Sequence, residues 1–354
     1  MLAPIVLNVI IAKISGSELE VTRPPASGNL KRAPKLGELI RHLQVQEVSK
    51  PSDFTGMKPV TEADHRRFVS EKKHVKIENV NVTIGRPWRI KAYGPQDYKP
   101  EEFTVWSFPN RGDWATHSGN YRGNWSPFIP RNLIEKYTRP GGLVLDQMCG
   151  SGTALVESKL LGRNCIGVDV NPDAVMVARD RLSFDYETLD QKVRSEIRTY
   201  VGDARNLDLV KDETIDLVAT HPPYAGIISY SGKRLPDDLS RLKMPEFIDA
   251  MRRVAAESYR ILKEDHYCGI LIGDTRKGRH YIPISIGVLQ AFLSVGFILK
   301  EDIIKLQHKT MTTRQKWRGH NYDFYKIAHE HLYIFRKPRK DERTTPLKYS
   351  KKWW

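Results

Sequence analysis

Short apolar runs alternate with amphipathic segments through the central two thirds of the chain. The apolar run at 143–145 ends on Asp146, a Gly-Ser-Gly-Thr turn follows at 150–153, and a helical segment closes near Gly162. A second apolar run over 165–168 ends on Asp169. This pattern predicts a strand, a glycine turn, a helix and a second, parallel strand. The carboxyl ends of parallel strands meet at one sheet edge, where α/β proteins bind ligands, so we expect a ligand site between the two acids.

The same alternation continues to residue 338. Apolar runs over 215–219, 267–272, 297–306 and 331–335 predict strands, and apolar stripes over 247–262 and 283–295 predict helices that pack against them. The last two strands are expected to form an antiparallel pair. The chain is therefore expected to have an α/β fold with its core in residues 101–338.

The flanking segments are expected to be separate from this core. Residues 1–100 form a predicted accessory region, with a linker at 23–34, a helical face at 36–43, a helix capped by Thr61 and alternating apolar positions over 75–84. We expect this region to be an arm that contacts a partner or a cover on the core domain. Residues 339–354 form a basic tail.

The glycine turn narrows the class of ligand. A dinucleotide fingerprint would place a third glycine at position 155, which is Leu155, and the Gly-Lys-Ser/Thr of a phosphate-binding loop is absent. The pattern acid-x-x-x-Gly-x-Gly followed by an acid that ends the next strand resembles the S-adenosylmethionine-dependent methyltransferases. That resemblance implies a Rossmann-like, seven-stranded methyltransferase sheet and S-adenosylmethionine as cofactor. It further implies that the cofactor is bound at these positions: Asp146, Met148, Gly150, Gly152, Thr153, Asp169 and Val170.

Two further segments match positions of that family. Gly-Asp-Ala after the apolar residues at 200–201 resembles the third cofactor motif, which makes Asp203 and Ala204 candidates for contact with adenine. The aromatic-rich stretch 106–134 precedes the first strand, where related enzymes complete the pocket for the methionine end of the cofactor. Our candidates there are Asn120, Ser126 and Pro127, and the alternative is an aromatic loop that only packs on the sheet.

A second motif indicates the chemistry. Two consecutive prolines follow the strand at 215–219, so they supply no backbone donors and hold an aromatic ring in a stiff, extended turn. The motif resembles the Asp/Asn/Ser-Pro-Pro-Tyr of methyltransferases that act on amino groups of nucleic acid bases, and its frame is most similar to the Thr-Ser-Pro-Pro-Tyr of cytosine-N4 enzymes. It departs from the family at His221. The implied catalytic residues are Thr220, His221, Pro222, Pro223 and Tyr224.

The resemblance implies a DNA methyltransferase that modifies the N4 amino group of cytosine, with the target base flipped into this clamp. Tyr224 would stack on the base, while His221 and the Pro222 carbonyl would accept its amino hydrogens. His221 must be neutral to accept, and an ordinary histidine pKa predicts a loss of activity below about pH 6.5. The alternatives are an N6-adenine DNA methyltransferase, an RNA base methyltransferase and a non-catalytic nucleic-acid-binding protein.

Charge supports a polyanionic partner. Lysine and arginine outnumber aspartate and glutamate by 57 to 42, a net charge of +15. The arm at residues 1–100 would then be a DNA-contacting one. Two loops also carry basic side chains that could contact double-stranded DNA, and one of these loops includes a tryptophan: Lys233, Arg234, Arg314, Lys316, Trp317 and Arg318. A cognate restriction endonuclease would be a further partner, and the oligomeric state stays open.

Three cysteines without CxxC spacing predict no disulfide and no metal site, and they favour a cytoplasmic location. No apolar run reaches the roughly 18 residues of a membrane span.

Overall fold

The strand order of the main sheet shows how the site is built. The structure is a computed structural model that describes residues 13–14, 17–18, 50–77, 80–121, 123–186, 195–224, 235, 237–308 and 323–351. The chain divides into a unit of residues 1–50 and a unit of residues 51–354. In the first, β1 (Lys13–Ile14) pairs antiparallel with β2 (Ser17–Glu18).

Nine strands form one mixed sheet in the second unit. In chain order they are β3 (Lys58–Val60), β6 (Val105–Ser107), β7 (Leu143–Asp146), β8 (Asn164–Asp169), β9 (Ile197–Val201), β10 (Ile215–Thr220), β11 (Leu262–Ile272), β14 (Ile298–Leu306) and β15 (His329–Arg336). Across the sheet the order is β3-β9-β8-β7-β10-β11-β15-β14-β6. Strands β9, β8, β7, β10 and β11 are parallel, and β15 is antiparallel to both β11 and β14.

The seven strands from β9 to β14 confirm the predicted sheet, closing antiparallel pair included. The two extra strands lie at its edges, where β3 pairs antiparallel with β9 and β6 pairs parallel with β14. Two small hairpins accompany the sheet: β4 (His74–Ile77) with β5 (Val80–Thr83), and β12 (Thr275–Lys277) with β13 (His280–Ile282).

Helices cover both faces of the sheet. They are α1 (Glu62–Glu71), α2 (Phe128–Tyr137), α3 (Thr153–Leu160), α4 (Pro172–Leu182), α5 (Met244–Ile261), α6 (Ile284–Ser294) and α7 (Lys348–Lys351), with short 3-10 turns at Pro51–Asp53, Leu239–Arg241 and Thr345–Leu347. Successive side chains of a strand point to opposite faces. In β7, accordingly, Leu145 belongs to the same buried cluster as Phe247 of α5 and Phe292 of α6, while Val144 belongs to the cluster that contains Leu133 of α2 and Leu155 of α3. None of the helices within the described ranges is long and apolar enough to span a membrane.

Residues 51–100 pack with the sheet domain instead of forming a body of their own. The side chains of Val75, Ile77 and Val82 in the β4–β5 hairpin are buried in one cluster with Ala174 and Val177 of α4. The apolar face of the hairpin needs such a cover, because two strands alone bury too little surface to be stable. The structure thus divides the chain near residue 50, whereas the sequence placed the boundary near residue 100.

The local predictions for this segment are confirmed. Thr61 caps α1 with its side chain, which accepts from the Asp64 backbone over 3.2 Å, and the Asp64 carboxylate accepts in return from the Thr61 backbone over 2.9 Å.

At the other end of the chain, part of the basic tail is ion-paired to the domain. Lys340 lies 3.2 Å from a carboxylate oxygen of Glu213 and also pairs with Glu264.

Candidate active site

A cleft with about 830 Å³ of open space lies at the carboxyl ends of β7, β8, β9 and β10. Parallel strands with helical crossovers bring these ends to one edge, so the acids and glycines that follow them meet there. Most residues that the sequence assigned to the cofactor line this cleft: Asp146, Met148, Gly150, Thr153, Asp169, Val170, Asp203 and Ala204. His221 and Pro223 of the Pro-Pro-Tyr motif line the same cleft.

Asp146 lies at the end of β7 with 2% of its surface exposed. Its Oδ1 accepts a hydrogen bond from Thr220 Oγ1 over 2.8 Å and one from the Met148 backbone over 3.3 Å. Burial raises the pKa of Asp146 to about 7, against the lowering effect of those two hydrogen bonds. The carboxyl group is therefore divided between its neutral and ionised forms near neutral pH, and a positively charged ligand would favour the ionised form.

Asp169, at the end of β8, holds the glycine turn in place. Its Oδ2 accepts from the Gly150 backbone over 2.8 Å and its Oδ1 accepts from the Asn171 backbone over 2.9 Å. Burial raises the pKa of Asp169 to about 6, and the two backbone hydrogen bonds oppose that rise. Each carboxylate oxygen can accept more than one hydrogen bond, so Asp169 can still accept hydrogen bonds from a ligand in the cleft.

Asp203 follows β9 and is bound by a residue that the sequence analysis missed. The Arg205 guanidinium lies 2.6 Å from Asp203 Oδ2 and also stacks over the Phe54 ring at 3.9 Å. The Asp203 backbone N–H donates to the Thr55 carbonyl over 3.1 Å. Phe54 and Thr55 therefore contact Arg205 and Asp203 at this end of the cleft. An arginine two positions after the acid is a local signal, but the contact with Phe54 spans about 150 positions and has no sequence signature.

The two glycines of the turn have different roles. Gly150 lines the cleft, whereas Gly152 does not. Gly152 has a positive φ of 81°, and a Cβ there would lie 2.9 Å from Cβ of Ala178 in α4. Gly152 thus permits α3 to pack closely on α4, and the structure does not place it against the ligand space as the sequence analysis expected.

The aromatic segment before α2 contributes different residues from those proposed. Asn120 is exposed, Ser126 donates to the Arg111 carbonyl over 2.7 Å, and Pro127 is the N-cap residue of α2. None of these three lines the cleft, whose wall here is formed by neighbouring residues of the same segment: Tyr121, Gly123, Asn124 and Trp125. The sequence identified the segment but not its register, because a loop has no periodicity that tells which side chains point inward.

Hydrogen bonds join the Pro-Pro-Tyr segment to Asp146 of β7 and to Glu330 of β15. Thr220 and Pro222 are buried and do not line the cleft, and Thr220 bonds to Asp146. His221 Nε2 lies 3.0 Å from the Tyr224 hydroxyl, and that hydroxyl donates to Oε1 of Glu330 on β15 over 2.6 Å. Glu330 was not identified from the sequence.

His221 titrates at lower pH than the sequence analysis assumed. Burial lowers the pKa of His221 to about 4; the nearby Glu330 carboxylate opposes this shift and the Lys305 ammonium adds to it. His221 is consequently neutral throughout the pH range above about 5, so the expected loss of activity near pH 6.5 cannot come from this residue.

Tyr224 lies behind the cleft wall and is not among its lining residues. A Cβ on Gly273, just beyond β11, would lie 3.0 Å from Cε2 of Tyr224, so the ring rests against a position where only glycine leaves room. Its hydroxyl bonds to Glu330. The stacking of Tyr224 on a base accordingly stays a prediction.

The cleft wall also holds a thiol without nucleophilic character. Cys149 lines the cleft, and burial, together with the charges of Asp169 and Asp146, raises its pKa well above the usual 9.0. Because only the thiolate is a good nucleophile, Cys149 is a packing residue.

The basic residues proposed to contact nucleic acid lie outside the described residues, namely Lys233, Arg234, Arg314, Lys316, Trp317 and Arg318.

Known proteins and family models match parts of this sequence. The family model described as DNA methylase, for N6 and N4 methyltransferases, matches residues 42–180 and 215–354. The model of the RMKL-like methyltransferase domain matches residues 137–266.

Individual relatives match shorter stretches. A tRNA (guanine(10)-N2)-dimethyltransferase from Methanothermobacter thermautotrophicus is 31% identical over 149 residues, 42% of this chain and 40% of that protein. The type II methyltransferase M2.DpnII of Streptococcus pneumoniae is 40% identical over 75 residues, 21% of this chain and 27% of that protein. The chain thus spans less than half the length of these relatives.

Among solved structures, a SAM-dependent methyltransferase from Methanosarcina mazei aligns with 59% of this chain and 98% of its own, at 14% identity and a TM-score of 0.41. The fold assignment rests on the strand order described above. Because the DNA methylase model matches more than half of the chain, the protein belongs to the N6/N4 DNA methylase family.

Proposed function

We propose that this protein transfers a methyl group from S-adenosylmethionine to the exocyclic amino group of a base in DNA. The observation that carries the proposal is that one cleft is lined both by the three acids at the strand ends and by His221 and Pro223 of the Pro-Pro-Tyr motif. A cofactor region and a base clamp that open into the same space are what direct transfer between two bound groups requires.

The residues present fit this cofactor. Five aspartates line the cleft, and they suit a ligand with positive charge and hydroxyl groups and disfavour polyphosphates: Asp146, Asp169, Asp203, Asp237 and Asp238. Gly150 gives the backbone of the turn a close approach to the cleft. S-adenosylmethionine supplies a methyl group on a sulfonium that makes it reactive toward a nitrogen nucleophile.

The protein's own contribution is positioning and electrostatics. The bond between Thr220 and Asp146 connects the strand that carries the clamp to the strand that begins the cofactor motif, so the distance between the two half-sites is set by the sheet. His221 is neutral at physiological pH and can accept an amino hydrogen, which increases the availability of the nitrogen lone pair. Methyl transfer then requires no covalent enzyme intermediate, in agreement with the inert Cys149.

We propose the N4 amino group of cytosine in double-stranded DNA as the target, on the likeness of the Thr-His-Pro-Pro-Tyr frame to that of cytosine-N4 enzymes. N6 of adenine is the nearest alternative. A base in RNA is the second candidate, because a tRNA dimethyltransferase is among the relatives and matches this chain over 149 residues.

The test is to incubate the protein with methyl-labelled S-adenosylmethionine and either DNA or RNA, and to identify the labelled nucleoside after digestion. We expect N4-methylcytosine from DNA. Label in N6-methyladenine would retain the reaction and refute the target, and label in RNA alone would refute the DNA substrate. Cofactor binding without any label would favour the non-catalytic binding protein.

An Asp169→Asn variant is the matched control for this assay. Asp169 accepts from two backbone N–H groups through different oxygens, and asparagine retains an acceptor for only one of them. We expect the variant to lose cofactor affinity and labelling together.

A further inference from the structure

A line of hydrogen bonds leads from β14 and β15 to the histidine of the clamp. Lys305 Nζ lies 2.9 Å from Oε2 of Glu330, whose other oxygen accepts from the Tyr224 hydroxyl over 2.6 Å. The Tyr224 oxygen is 3.0 Å from His221 Nε2. Lys305 and Glu330 have 15% and 9% of their side-chain surface exposed, so the line is largely shielded from water.

The protonation state of each residue in this line follows from the residue to which it is hydrogen-bonded. Burial alone would raise the pKa of Glu330, but the charges of Lys305 and His221 and the hydrogen bonds of Tyr224 and Lys305 hold that pKa below its usual 4.5, so Glu330 is ionised and can only accept. The single hydroxyl proton of Tyr224 is thereby committed to Glu330. The contact between Tyr224 and His221 then requires the histidine to donate from Nε2.

This assignment leaves Nδ1 of His221 without a proton. Nδ1 is buried and makes no hydrogen bond to any residue of the described chain. The Gly123 backbone carbonyl lies beside the ring and opposes the lowering of its pKa, but its contact with Nδ1 does not have the geometry of a hydrogen bond. A buried acceptor with no donor is costly and therefore calls for a functional explanation.

We propose that Glu330, acting through Tyr224, holds His221 in its Nε2–H tautomer and thereby makes Nδ1 the acceptor for the amino group of the target base. Glu330 is a positioning residue, and Lys305 supports it by keeping the carboxylate ionised. The acceptor role rests on the proposed function, whereas the tautomer itself is a property of the protein alone. The proposal also gives the hydroxyl of Tyr224 a role that is distinct from stacking.

The decisive variant is Glu330→Gln, which preserves shape. Lys305 can donate only to the amide oxygen, so the amide NH2 group turns to the Tyr224 oxygen. The Tyr224 hydroxyl must then donate to His221 Nε2, and the ring proton moves to Nδ1.

Tyr224→Phe is the second variant, because it retains the aromatic ring and removes the hydroxyl that connects Glu330 to His221. Asp302→Asn is the matched control, because it also changes a carboxylate into an amide beside a histidine. Asp302 lies on β14, and its carboxylate is 3.0 Å from Nδ1 of His331.

The first measurement is the ring 15N spectrum of His221 at pH 7 in the protein without cofactor or DNA, assigned by its loss in His221→Ser. We expect the Nε2–H tautomer in the wild type and in Asp302→Asn, the Nδ1–H tautomer in Glu330→Gln, and loss of the single Nε2–H form in Tyr224→Phe. An Nδ1–H ring in the wild type, or an unchanged tautomer in Glu330→Gln, overturns the proposal.

The second measurement is turnover. Glu330→Gln is expected to lower kcat at least tenfold while the Kd of S-adenosylmethionine stays within twofold, and Asp302→Asn is expected to change neither. If the tautomer changes as expected and kcat does not, Nδ1 is not the acceptor. If the wild type methylates no base, the proposed function fails and the acceptor role fails with it, while the spectra still decide the tautomer.

Discussion

Thr220 Oγ1 donates a hydrogen bond of 2.8 Å to Asp146 Oδ1, and both side chains are buried. The bond joins the ends of β10 and β7, which are neighbours in the sheet. It thus links the strand that leads into the Pro-Pro-Tyr motif to the strand that leads into the glycine turn.

The first prediction concerns this bond. Thr220→Val removes the donor and leaves a buried carboxylate with one acceptor position unpaired, which should lower the free energy of unfolding by about 1–3 kcal/mol. The loss should be greater at pH 8 than at pH 5, because Asp146, with a pKa of about 7, is ionised only at the higher pH. Urea unfolding at the two pH values measures it. Thr220→Ser keeps the hydroxyl and should lose only about 0.8 kcal/mol for the missing methyl group; equal losses in both variants would contradict the argument.

The second prediction is that cofactor binding releases protons at pH 7. Burial raises the pKa of Asp146 to about 7, so roughly half of the unliganded molecules carry a proton there. A positively charged ligand lowers that pKa and releases a fraction of a proton per site. Titration calorimetry with S-adenosylmethionine in two buffers of different ionisation enthalpy should therefore give different binding heats in the two buffers.

One control for proton release is Asp146→Asn, in which the difference between the buffers should be much smaller. A second control is S-adenosylhomocysteine, a ligand that lacks the sulfonium charge. Binding heats that are the same in both buffers for the wild type would show that Asp146 does not titrate on binding.

The third prediction concerns the pH dependence of turnover. The pKa of His221 is lowered by burial to about 4, so the charged form is a minor species above about pH 5 and cannot cause an acid limb near pH 6.5. The ratio of kcat/KM between the wild type and His221→Ser should therefore be constant from pH 5.5 to pH 8. A ratio that falls tenfold between pH 7 and pH 5.5 would mean that His221 titrates near its ordinary value.

The fourth prediction separates the two costs of replacing a glycine. Gly152 and Gly141 have nearly the same positive φ, 81° and 82°, but a Cβ on Gly152 would lie 2.9 Å from Ala178, whereas one on Gly141 would meet nothing within 4 Å. Gly141→Ala should cost about 1–2 kcal/mol for the left-handed backbone alone. Gly152→Ala should cost about 1–3 kcal/mol more, because α3 must move away from α4. Thermal unfolding of both variants tests this, and equal losses would exclude the close packing of the two helices.

The sequence by itself determined the sheet and the place of the site. Apolar runs that end on Asp146 and Asp169, with a helix between them, specify two parallel strands, and parallel strands have their carboxyl ends at one edge. The acids and the Pro-Pro motif come directly after their strands, so the strand ends alone brought Asp146, Asp169 and His221 to one cleft.

Only the tertiary structure decided the contacts between distant segments. Glu330 reaches Tyr224 across 106 positions, and Phe54 reaches Arg205 because residues 51–100 pack on the sheet domain. Neither contact has a periodic or local signature. The tertiary structure also showed that Gly152 serves helix packing and that Tyr121, not Asn120, lines the cleft. Burial in that structure is what lowers the pKa of His221. The physical reason is common to all of these: local patterns specify where a strand ends, whereas burial and long-range packing decide which side chains face the cleft and how they are protonated.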